Sequence, residues 1–106
     1  MDSPRLERAV DCRIVGEADA ANDAIEAIDE LDPDIVITDL LLREGTGVDL
    51  VRRVRARHGE GRPAIFVLTN YASPDYRETL SAAGADACFD KRSEYGALID
   101  KVRAVA

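Results

Sequence analysis

The chain has 106 residues, 46% apolar and 33% charged, which suits one folded domain and not a disordered segment. Fourteen Lys and Arg against 21 Asp and Glu leave a formal charge of −7, which argues against direct binding to a nucleic-acid backbone. No apolar run reaches the ~18 residues of a membrane span and no signal-peptide core is present, so a cytoplasmic setting with Cys12 and Cys88 as free thiols is expected.

In chain order, Asp2-Ser3-Pro4 predicts a helix start over residues 5–10, a capping side chain followed by proline in the first turn. Cys12-Arg13-Ile14-Val15 predicts a short strand ended by Gly16. Residues 20–31 place Ala21, Ala24, Ile25 and Ile28 on one helical face, and Asp32-Pro33 stops that helix. Ile35-Val36-Ile37 is unbroken and β-branched, as a strand buried on both faces would be. After a loop over residues 40–47, Val48, Leu50, Val51 and Val54 mark a second amphipathic helix closing near Gly59. Residues 64–68 form another apolar strand. Ser73-Pro74 opens a helix through Ala83, with Gly84 as its stop. Ala87-Cys88-Phe89 predicts a strand, and Ser93 or Glu94 starts a last helix with Leu98, Ile99 and Val102 inward.

Strands and helices alternate through short connections, and the strands are continuous apolar runs. The expected fold is α/β: one domain over residues 1–106, with a parallel sheet covered by helices on both faces. In such a sheet, ligands bind outside the carboxyl ends of the strands. The residues just past those ends are Asp39, Thr69 with Asn70, and Asp90 with Lys91. A carboxylate can accept a phosphoryl group as nucleophile, a lysine ammonium can pair with it before and after, and a threonine hydroxyl can donate to the new oxygens. A hard cation would complete the set and needs further oxygen ligands. Taken singly, a strand-end Asp is often only a turn former, and a lone Thr or Lys carries little signal. Their recurrence at successive strand ends is what points to a site.

These pieces resemble the receiver domains of response regulators, which have a flavodoxin-like doubly wound fold. Asp39 in Asp34-Ile-Val-Ile-Thr-Asp39 looks like the phosphoacceptor. Gly47 in Gly45-Thr-Gly47-Val-Asp-Leu50 matches a family glycine ahead of a helix. Thr69 in Phe66-Val-Leu-Thr-Asn-Tyr71 matches the switch hydroxyl, and Lys91 after Ala83-Gly-Ala-Asp-Ala-Cys-Phe-Asp90 matches the family lysine. Val15-Gly-Glu-Ala18 also recurs in the family. The resemblance implies a signalling module of a two-component phosphorelay in bacteria, not a turnover enzyme. A histidine kinase or phosphotransfer protein would phosphorylate Asp39. Mg²⁺ would be held by Asp39, Asp2 and the Leu41 carbonyl, and a downstream protein would read the switched face formed by the helix from Ser73 and the surface around Tyr71 and Phe89.

The chain departs from the family in places. Arg43 and Arg92 stand where proline is usual. Cys88 stands where Tyr or Phe is usual, which weakens the expected threonine–aromatic coupling. At the start, Met1-Asp2-Ser3-Pro4 looks like the tail of the first strand's acidic pair, with Met1 in place of the first acid. Four strands are recognisable and the usual first central strand is missing, so an N-terminally truncated or degenerate domain is expected, and its unpaired strand edges suggest a homodimer or strand exchange. Two readings share every other residue: a phosphorylated receiver with a weakened Mg²⁺ site, and a pseudo-receiver that binds proteins without phosphorylation. A flavin or nucleotide enzyme fits poorly, because no G-x-G-x-x-G loop is present and His58 has no nucleophile beside it. His58 reads as a solvated helix-end residue, and Arg52, Arg53, Arg55 and Arg57 as a solvated helix face.

Overall fold

The computed structural model of the chain describes residues 20–40, 42, 44–70 and 72–105. The expected elements at residues 5–10 and 12–15, and with them the question of a missing central strand, lie outside the described residues. Within them, strands β1 (Ile35–Thr38), β2 (Ala64–Thr69) and β3 (Ala87–Asp90) form a parallel sheet in the order β1-β2-β3. Helices α1 (Ala21–Leu31), α2 (Gly47–His58), α3 (Pro74–Ala83) and α4 (Tyr95–Val105) alternate with them. The pattern read from the sequence is therefore the one observed.

Side chains alternate across a strand, and β2 shows what that does here. Ile65 and Val67 enter one core with Ile25, Ile28, Leu50, Val51, Val54 and Leu80, from α1, α2 and α3. Phe66 and Leu68 enter a second core with Phe89, Leu98 and Val102, from β3 and α4. Helices thus cover both faces, as a doubly wound sheet requires. Phe66 and Phe89 meet edge to face with ring centroids 6.3 Å apart. Phe89 is only 6% exposed, which corrects its expected place on a docking face. Ile35 and Ile37 pack against the second core and Val36 against the first, so β1 meets a core on both faces as expected, with these side chains half-buried. Among the described residues β1 pairs on one side only, with β2.

The caps follow local chemistry. Thr46 Oγ1 accepts from the Asp49 amide at 3.1 Å, and Ser73 Oγ from Tyr76 at 3.3 Å, each satisfying a first-turn donor. α3 ends at Gly84, whose φ of 116° is a conformation open mainly to glycine. α1 ends one step before its proline, with Asp32 at φ 46° and its amide bonded to the Ile28 carbonyl.

At the amino ends of the strands, two groups of polar residues hold the helices. Arg55 was expected on a solvated face, yet its side chain is only 9% exposed. Its guanidinium donates to the carbonyls of Gly84 (2.9 Å), Gly59 (3.2 Å) and Pro63 (2.9 Å) and to Asp86 Oδ2 (2.9 Å). Asp86 Oδ2 also accepts from the Ile65 amide at 2.7 Å, so α2, the end of α3 and the start of β2 are tied through one cation. The second group joins α1 to α2: Asp29 takes Arg57, and His58 Nε2 lies 2.8 Å from its Oδ1. His58 is thus engaged across helices and not merely solvated at its own helix end.

Two outcomes follow from these ties. Arg55→Leu strands several acceptors and should cost about 2–4 kcal/mol, read as a lower urea midpoint at unchanged slope. Arg57, by hydrogen bonding, holds the Asp29 carboxyl below its ordinary value of 3.8. A depressed native value means that Asp29 stabilises fully above pH 3.8 and loses that contribution as pH falls through the lowered value. Asp29→Asn should therefore flatten the acid limb of a melting-temperature profile taken from pH 2 to pH 6.

Candidate functional site

At the opposite edge, β1 ends at Thr38 and delivers Asp39, while β3 ends at Asp90 and delivers Lys91. These residues stand 52 positions apart in sequence, yet Lys91 Nζ donates to Asp39 Oδ2 at 2.6 Å. The two side chains are 32% and 33% exposed, so the pair faces solvent at the sheet edge and is open to an incoming group. Asp39 Oδ1 accepts from the Leu40 amide at 2.7 Å, which fixes the carboxylate's orientation.

Thr69 ends β2 between them and is fully buried. Its carbonyl accepts the Lys91 amide at 3.0 Å, and it pairs in register with Asp90. The structure thus brings Asp39, Thr69 and Lys91 to one edge, as the sequence suggested. Asp2 and Leu41, the other expected metal ligands, lie outside the described residues, as do Arg43 and Tyr71. Among the described residues no group of three or more His, Cys, Asp and Glu could hold a metal ion.

The loop after Asp39 is closed by Gly47. Its amide donates to the Leu40 carbonyl at 2.7 Å, and a Cβ built on it would lie 2.4 Å from the Asp39 carbonyl oxygen. That oxygen also accepts from Thr38 Oγ1 at 3.0 Å. Glycine is thus required by close backbone approach, and α2 starts directly against the backbone of the acid. Reasoning from sequence missed Arg77 and Glu94. Arg77 donates to the Cys88 carbonyl at 2.7 Å and pairs with Glu94 beside the Lys91 turn. Their separation of 17 residues gives no local pattern by which the pair could be found.

Parallel strands that bring an acid and a lysine into contact at their carboxyl edge, with helices on both faces, define a doubly wound α/β module with an ionic site at its strand ends. The model of the response regulator receiver domain family matches residues 5–103, so the chain belongs to that family. Receiver domains are signalling domains. Over 101 residues the chain is 27% identical to the transcriptional regulatory protein LiaR of Bacillus subtilis (strain 168), covering 95% of this chain and 47% of LiaR. The chain therefore spans about half the length of that relative. Among solved structures, a two-component response regulator of the LuxR family from Aurantimonas sp. SI85-9A1 superposes with a TM-score of 0.88 at 27% identity, over 96% of this chain and 71% of that one. A DNA-binding response regulator of the same family from Staphylococcus aureus shares the fold, with a TM-score of 0.84 at 23% identity over 96% and 83% of the two chains. These likenesses bear out the flavodoxin-like fold. No helix among the described residues is long and apolar enough to cross a membrane.

The contact at Gly47 yields a test of how the site is held. Gly47→Ala should cost about 1–3 kcal/mol through overpacking. It should also displace the Asp39 and Leu40 amide resonances more than those of β3 in a two-dimensional NMR spectrum.

Proposed function

We propose that the chain accepts a phosphoryl group on Asp39 from a histidine kinase or a histidine phosphotransfer protein, and that this changes a protein-docking face that includes α3. The observation that carries the reading is the 2.6 Å contact of Lys91 Nζ with Asp39 Oδ2 at the carboxyl edge of the sheet. A carboxylate oxygen of Asp39 attacks the phosphorus, the bond from phosphorus to the donor histidine nitrogen breaks, and the imidazole leaves with the electron pair. The product is an acyl phosphate on Asp39.

Lys91 stabilises this change as a point charge. It neutralises the carboxylate at rest and follows the charge onto a phosphoryl oxygen afterwards. The Thr69 hydroxyl is the proposed donor to a second oxygen. The Asp39 carboxylate, one-third exposed at the edge, is a hard oxygen donor of the kind Mg²⁺ takes together with several waters. Asp2 and the Leu41 carbonyl are the further ligands that the sequence suggests. A bound Mg²⁺ would neutralise charge on the transferring group.

The downstream target is proposed to be a protein surface, whether on a separate protein or on a further domain of the kind that the longer relatives leave room for. Intact mass after incubation with Mg²⁺ and acetyl phosphate tests the reading. One phosphoryl adduct is expected on the unaltered chain, and none on Asp39→Asn or without the metal. A folded chain that takes no adduct would instead be a pseudo-receiver, binding its partners without phosphorylation.

A further inference from the structure

The lysine that serves Asp39 sits in a turn held from an unexpected direction. The Asp90 carbonyl accepts the Glu94 amide at 2.9 Å, and Glu94 Oε1 accepts the Asp90 amide in return at 3.0 Å. Asp90 Oδ1 accepts the Arg92 amide at 2.8 Å. Lys91 is thus enclosed between two fastened neighbours while its own amide is bonded to Thr69.

Glu94 is itself held by Arg77 of α3. One guanidinium nitrogen, Nη2, donates to Glu94 Oε1, and the other, Nη1, donates to the Cys88 carbonyl at 2.7 Å. A single planar side chain therefore spans the last residues of β3 and the turn beyond it. A small open recess flanks the seam it crosses. Cys88 is small, and this recess of about 50 Å³ lies between α3 and β3, lined also by Arg77, Leu80, Ser81 and Asp86. The link from α3 to the Lys91 turn runs through the hydrogen bonds of Arg77 and Glu94.

A lysine side chain has a flexible four-carbon stem, so its charge arrives at a defined point only if its backbone is fixed. We infer that Arg77 and Glu94 are positioning residues for the phosphoryl site, holding the Asp90–Lys91 backbone so that Lys91 Nζ meets Asp39 and linking α3 to that contact. The inference deepens the phosphoacceptor reading and rests on it for its kinetic consequence. Both side chains are more than one-third exposed, so the pair itself stabilises the fold only slightly, and its role is geometric. Hydrogen bonds from Arg77 and from the Asp90 amide also hold the Glu94 carboxyl below its ordinary value of 4.5, which keeps it ionised for both partners.

The test compares Arg77→Leu and Arg77→Lys in the full chain, each alone and combined with Lys91→Ala. In the resting protein, the slowly exchanging Lys91 ammonium signal of a nitrogen-15 spectrum should be lost in Arg77→Leu and kept in Arg77→Lys. With acetyl phosphate and Mg²⁺, Arg77→Leu should slow Asp39 phosphorylation roughly tenfold at saturating donor, and Arg77→Lys should stay within about twofold. In the Lys91→Ala background, Arg77→Leu should have no further effect, because its route of action is already gone. An unchanged ammonium signal, or a rate loss that persists undiminished in the Lys91→Ala background, would overturn the inference. If the unaltered chain takes no phosphoryl group, the phosphoacceptor reading fails, while the ammonium signal still decides whether Arg77 positions Lys91.

Discussion

Everything in this domain is arranged around a strand that water does not reach. From Ile65 to Thr69, β2 is at most 2% exposed, and its backbone is bonded to β1 on one side and β3 on the other. A strand buried on both faces must be apolar on both, and it forces separate helical layers above and below. It also leaves no place for charge inside the sheet. Ionisable groups are driven to the two ends, where the strands meet water, and the domain's polar chemistry is sorted there.

The two ends are built differently. At the amino ends of the strands, Arg55 is enclosed and spends its donors on three carbonyls and one carboxylate. Gly84 belongs to that arrangement, because a Cβ there would lie 2.6 Å from the Arg55 side chain. At the carboxyl ends, Asp39 and Lys91 meet at 2.6 Å through partly exposed side chains. The first end is fixed by many bonds to one enclosed cation, whereas the second presents a carboxylate and its cation each about one-third exposed. A module that must stay folded while an acid reacts, as proposed for Asp39, gains from that division.

The order of elements was legible because it rests on short-range signals. Thr46 and Ser73 cap their helices as their types predict, Gly84 takes the left-handed turn, and apolar runs mark the strands. Asp39, Thr69 and Lys91 could be singled out because strand-end position is itself local information. What was not legible depends on partners far along the chain. Arg55 finds Asp86 31 residues away, and Arg57 finds Asp29 28 residues away, so a run of arginines that reads as solvated is in fact partly engaged. Phe89 carries no mark that separates a core aromatic from a surface one. Its burial follows from β3 lying against α4, which is a property of the packed fold.

The unequal exposure of the ionic contacts gives the surroundings unequal hold over them. The Arg57–Asp29 pair, with side chains 54% and 31% exposed, and the Lys91–Asp39 pair both stand where dissolved ions can approach. Arg55 is mostly shielded from them. Salt screens charges that lie farther apart than about 8–10 Å at physiological ionic strength, and it weakens exposed pairs more than enclosed ones. Added salt thus weakens the exposed Arg57–Asp29 pair at the α1–α2 seam more than the enclosed Arg55 tie. The α1–α2 seam is therefore the salt-sensitive joint of the domain, and the joint around Arg55 the salt-resistant one.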